Sequence, residues 1–131
     1  MNRDSLAVAI GAIIGATVRY AFTSLAGPFN LTSLPYGTLA ANIMGCLLIG
    51  LFQTIFLSRP NLPRELQRFV SVGCLGGLTT FSTVSVELVQ LAAGGALASA
   101  AAYFILSLSG GLLAALVGIQ LAHLLLQSKT P

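Results

Sequence analysis

From Leu97 to Gln127 the chain carries no formal charge. A segment of that length has one natural environment. A helix crossing ~30 Å of hydrocarbon needs ~20 residues at a rise of ~1.5 Å each. Three further segments meet the same condition, at residues 5–26, 36–57 and 65–92. Between them lie "GPFNLTSLP" (27–35), rich in helix-breaking residues; "SRPNLPRELQR" (58–68), the one strongly charged loop; and "AGGA" (93–96), a short turn. The composition agrees: 56% of residues are hydrophobic and 7% charged, where a soluble domain carries roughly 25% charged residues. The expected fold is an all-α membrane protein, with residues 1–131 forming a single domain of four transmembrane helices. Its short connections favour antiparallel neighbours.

Several function classes drop out on composition. Six basic against three acidic residues, with no clustered basic face, leave no nucleic-acid footprint. His123 is the only histidine, and Cys46 and Cys74 lie in apolar runs without CxxC spacing. No metal cluster or nucleophile–base pair can be assembled from them, so an enzyme is not expected. The segment after Asp4 is long enough to span and ends in no small-residue cleavage site, so it reads as a span rather than a removable leader. Small residues mark faces for close helix contact: Gly11, Gly15 and Ala16 in the first span, Gly45 and Gly50 in the second, and Gly110, Gly111, Ala114, Ala115 and Gly118 in the fourth. Four short helices leave little room for an internal pathway, so at least a dimer is expected.

Basic residues in short loops set orientation. Both termini share a side with the loop between spans two and three, and that side holds Arg3, Arg59, Arg64, Arg68 and Lys129. The opposite loops hold none. This bias favours cytoplasmic termini unless the chain inserts both ways, and the chain is expected in the cell's inner, or plasma, membrane.

Polar groups inside hydrocarbon are costly and call for a reason. Arg19 either snorkels to the headgroups or lines an anion-attracting vestibule. Asn42 either makes an interhelical hydrogen bond or offers a donor to a pore. Glu87 reaches the nearby interface, guards a pore mouth or carries a proton. The strongest feature is "GGLTTFSTV" (76–84), which crowds two glycines and four hydroxyl side chains into an apolar segment. A helix can stop within a membrane only where protein or a water-filled cavity satisfies the freed backbone, and such breaks offer carbonyls to cations and amides to anions. The stretch therefore reads as a helix interruption with an ion site. Phe81 adds an option, because a phenyl ring is positive at its edge and can touch an anion without binding it tightly. The hydroxyls of Ser82 and Thr83 stand beside it.

Three motifs in order, "GATVRY" (15–20), "PYGTLAANIMG" (35–45) and "GCLGGLTTFSTV" (73–84), resemble the Fluc (CrcB) family of small fluoride channels. The resemblance implies an antiparallel dimer with two fluoride pores and a third helix broken mid-membrane. It implies a sodium ion at the dimer centre, held by the backbone carbonyls of Gly76 and Thr79. It places Asn42 and Phe81 in the pore, Arg19 and Glu87 at its mouth or vestibule, and Tyr103 and Ser107 on a polar track along the fourth helix. Two features depart from the pattern. The second member of the family's phenylalanine pair falls at Val84, which has no ring edge. The five-to-zero distribution of basic residues favours one orientation, whereas an antiparallel homodimer needs both.

The implied function is passive export of toxic fluoride, driven by the membrane potential. One alternative is a single-orientation subunit with a compromised pore, paired with an oppositely inserted homologue. Another is a proton-coupled small multidrug transporter, for which Glu87 is the only candidate carboxylate and for which the chain offers no tryptophan to stack aromatic cations.

Overall fold

The computed structural model describes residues 3–27, 29 and 34–127. Every regular element among them is helical. Helix α1 (Arg3–Leu25) is followed by α2 (Tyr36–Ser58). The third run opens with α3 (Arg64–Arg68), passes through a π-helical segment (Phe69–Cys74) and ends in α4 (Leu75–Leu78). Helices α5 (Phe81–Ala93) and α6 (Leu97–Gln127) complete the chain. Four stretches are long and apolar enough to cross a membrane: Arg3–Leu25, Tyr36–Ser58, Arg64–Ala93 and Leu97–Gln127. The molecule is a multi-pass membrane protein.

The punctuation follows from residue type. Pro35 and Pro63 stand immediately before the first residues of α2 and α3, where a fixed φ suits helix entry and a missing N–H costs nothing. The charged stretch 58–68 is only partly loop, because helix begins at Arg64 once Pro63 has been passed. At the other end of this run, Gly95 adopts φ +81. Its N–H donates to the Ala92 carbonyl (3.1 Å), and Ala96 N–H reaches back to Leu91 O (2.9 Å). This is the paired hydrogen bonding of a Schellman cap, which needs a residue at ease with positive φ.

Small residues set the packing. Gly11 and Gly15 on α1 face the backbone of Phe69, Gly73 and Cys74, while Gly73 and Gly77 face Val8 and Ala12 in return. Two glycine pairs, each spaced by four residues, thus interlock, and a β-carbon on Gly15 would overlap the Cys74 carbonyl. A second close pair forms between α2 and α6, where Gly50 lies on the Ala115 carbonyl and Gly118 on that of Leu47. Such contacts let helix backbones meet where lipid supplies no hydrophobic drive. Between α5 and α6, Val84, Leu91, Ala100 and Tyr103 form one buried cluster. Between α2 and α4, Ala41, Leu75 and Leu78 form another. The large apolar side chains of α6, among them Leu112, Leu113, Leu116 and Leu124, point outward, as a lipid-facing surface requires.

At the charged end, Asp4 and Arg68 pair at 2.6 Å, with Arg68 half exposed. An exposed pair of this kind contributes only about 0.2–1 kcal/mol, so it marks the contact between the starts of α1 and α3 more than it secures it.

Candidate ion site at the interrupted third helix

Helix α4 stops at Leu78, Thr79 and Thr80 are extended (ψ 152° and 124°), and helix resumes at Phe81. Side chains take over the hydrogen bonding there. Thr80 N–H donates to Asn42 Oδ1 at 2.7 Å, and Asn42 Nδ2 donates to the Thr80 carbonyl at 3.0 Å. The Thr80 hydroxyl caps α5 by accepting from Thr83 N–H at 3.1 Å, the usual role of an N-cap threonine. The same oxygen lies 3.0 Å from Thr83 Oγ1 and 3.1 Å from Ser82 Oγ.

These bonds have a consequence for two carbonyls. In an uninterrupted α-helix each carbonyl accepts from the N–H four residues on. The donor for Gly76 would be Thr80, and the donor for Thr79 would be Thr83. Both N–H groups are turned to side-chain oxygens instead. The carbonyls of Gly76 and Thr79 are therefore released from their helical partners at the end of a short helix. An open helix end with free carbonyls suits a small hard cation such as sodium, so the residues present fit the ion. A β-carbon at Gly76 would meet nothing within 4 Å, so this side of the chain is open.

Beside the interruption lies a pocket of about 290 Å³, lined by Asn42, Cys46, Thr79, Thr80, Phe81, Val84, Phe104, Ser107 and Leu108. Phe81 is 79% exposed, whereas Val84 is buried. The Ser107 hydroxyl is buried and has no hydrogen-bond partner among the described residues.

The other expected residues gather elsewhere. Tyr103 is fully buried and outside this pocket. Its hydroxyl donates to Glu87 Oε2 at 2.6 Å, and Thr38 Oγ1 donates to Glu87 Oε1 at 2.7 Å. Glu87 borders a small cavity of about 110 Å³ next to Thr23 and Thr38. Arg19 borders an adjoining cavity of about 240 Å³ with Thr23, Thr38 and Thr83. Among the described residues Arg19 has no ion-pair partner. Thus Asn42, Phe81, Val84 and Ser107 share one space, while Arg19 and Glu87 flank Thr38 in two neighbouring ones. Ser82 and Thr83 hold the cap between them. His123 is exposed on α6, and Lys129 lies outside the described residues.

Four residues escaped the sequence reading. Thr38 lies one helical turn before Asn42, a signal available from spacing. Cys46, Phe104 and Leu108 complete the pocket wall. Cys46 follows Asn42 by a turn and Leu108 follows Phe104 by a turn, but such spacing also describes ordinary packing.

The fold and the site define a class: a small four-span membrane protein whose third run is interrupted beside a polar-edged pocket. Residues 6–119 match the family described as CrcB-like protein, Camphor Resistance (CrcB). Similar proteins named "Fluoride-specific ion channel FluC" come from several bacteria. That of Stutzerimonas stutzeri (strain A1501) is 42% identical over 124 residues, covering 95% of this chain and 100% of the relative. That of Pseudomonas putida (strain F1) is 44% identical over 117 residues, covering 89% and 94%. That of Chloroflexus aurantiacus (strain J-10-fl) is 40% identical over 118 residues, covering 90% and 94%. The chain belongs to the CrcB-like family. The relatives are named as ion channels rather than enzymes, and this membership does not favour the multidrug-transporter reading.

Proposed function

We propose that this chain is a passive, fluoride-selective channel that lets fluoride leave the cytoplasm down its electrochemical gradient. Its relatives are named fluoride-specific ion channels. The observation that carries the reading is the makeup of one space. In a chain that is 56% hydrophobic, the pocket beside the interruption gathers an amide, hydroxyls and a phenyl ring. A dehydrating anion needs donors, and conduction needs them weak enough to let go. The second N–H of Asn42 and the positive edge of Phe81 meet both demands. No full positive charge lines the pocket to trap the ion.

In this reading Arg19 draws anions into the outer cavity. Glu87, held by Thr38 and Tyr103, stands at the mouth, and Tyr103 and Ser107 belong to one polar track on α6. The exposed Phe81 faces a second, oppositely oriented protomer, and the interruption lies within the membrane. Gly76 and Thr79 would hold sodium by their carbonyls at the dimer centre, where the ion supplies a fixed positive charge that ties the two breaks together. The assembly sits in the inner membrane. A copy inserted as the arginines direct has cytoplasmic termini, and its partner is inverted.

A bacterium lacking its own fluoride channel tests the reading. Expression of this chain should restore growth at fluoride concentrations that stop the parent strain. Well-expressed protein that leaves growth arrested would overturn it.

A further inference from the structure

We infer that Asn42 is a positioning residue for the cation site, holding the Gly76 carbonyl outside the helix by claiming the N–H that would otherwise bond it. The inference rests on the channel reading above and deepens it. The two carbonyls that the resemblance assigns to the cation, those of Gly76 and Thr79, lose their helical donors to two different oxygens. The Thr80 hydroxyl removes the Thr83 N–H from Thr79. That hydroxyl does nothing for Gly76, whose helical donor is Thr80's own N–H. This second donor is taken from another helix, by Asn42 Oδ1 at 2.7 Å.

The side chain does more than accept. Its Nδ2 returns a bond to the Thr80 carbonyl at 3.0 Å, so donor and acceptor of one residue are both held. That two-point pairing fixes Thr80 at φ −151°, ψ 124°, and only a primary amide offers a donor and an acceptor in this arrangement. The approach of α2 makes it possible. Gly45, one turn beyond Asn42 on the same face, lies directly against the Thr79 side chain, where a β-carbon would overlap it. With its acceptor and one donor committed to Thr80, Asn42 keeps a single N–H for the pocket. Its main contribution is therefore to the geometry of the break.

Sodium-dependent thermal unfolding of the purified full chain in detergent tests this, with sodium chloride exchanged for N-methyl-D-glucamine chloride at constant ionic strength. A ion bound only to the folded state raises its melting temperature. Wild type should show that rise. Asn42→Ala should need about tenfold more sodium for the same rise, or lose it, as expected when a buried backbone pair goes unsatisfied. Asn42→Asp keeps the acceptor for Thr80 N–H and should fall between the two. If Asn42→Ala does not fold, Asn42→Ser, too short to bridge both groups, takes its place with the same expectation. A folded Asn42→Ala or Asn42→Ser chain with the wild-type sodium midpoint overturns the inference, and so does a wild type that ignores sodium. Fluoride efflux from the same wild-type preparation separates the cases: efflux without a sodium response sinks this inference and leaves the channel standing.

Discussion

Glu87 shows how a single carboxylate is made tolerable in an apolar setting. It accepts from Thr38 and Tyr103, one hydroxyl on each oxygen, so protein donors satisfy both oxygens where no water need reach them. Glu87→Gln can keep both bonds, because a hydroxyl rotates to accept from the new amide N–H, so it should cost little. Tyr103→Phe leaves Glu87 Oε2 without its donor and should destabilise the fold by about 1–3 kcal/mol. Thermal unfolding of the two variants side by side checks the order. Val84 poses the opposite question. It is buried, yet it borders a pocket of about 290 Å³ with room for a larger side chain. Val84→Phe should therefore fold, place a second ring edge in the pocket and raise fluoride efflux from liposomes. An unchanged rate would mean that the position tolerates either side chain; a lower rate from folded protein would mean that the ring obstructs the path.

At the scale of elements, the glycines decide which helices touch. Gly11 and Gly15 admit the backbone of the third run, and Gly50 and Gly118 bring α2 to α6. Gly15→Leu should force α1 away from α4 and cost about 3 kcal/mol or more, since overpacking cannot relax against backbone. Loss of the folded species in gel filtration is the expected outcome, and a folded variant with wild-type melting would contradict this packing. The four apolar stretches and their turns were legible because length and proline or glycine punctuation are local properties. The small-residue faces were legible as faces but not as pairs, since one chain does not say which stripe meets which. The π-helical segment (Phe69–Cys74) was not legible at all. Nothing in "FVSVGC" marks the wider turn, which accompanies the close fit of Gly73 against α1. The polar crowding of 76–84 marked the stretch where α4 stops and α5 begins. The partner of Asn42 could not be read, because a bond spanning 38 residues is fixed by tertiary packing. The same holds for Thr38, which meets Glu87 across 49 residues.

For the whole molecule, the interruption leaves surface uncovered on a single chain. Phe81, at 79% exposed, and Gly76, with open space before it, are incompletely surrounded. A second protomer would close both, which is why the proposed unit is a pair. Charge sets the remaining tension. Arg3 and Arg64 open the first and third spans, Arg68 follows a turn later and Arg59 comes just after the second, and basic residues favour the cytoplasm. A pair of identical, inverted copies must overcome that preference in half of its molecules, whereas a pair with an inverted homologue need not. Function from the isolated chain distinguishes these arrangements. The decisive measurement is fluoride efflux from liposomes reconstituted with this chain alone, followed with a fluoride electrode and controlled with chloride. Rapid efflux of fluoride and not chloride is the expected result, and it would show that the chain forms a selective channel by itself. Folded protein that passes neither ion, or passes chloride equally well, would contradict the proposal that it is a self-sufficient fluoride channel.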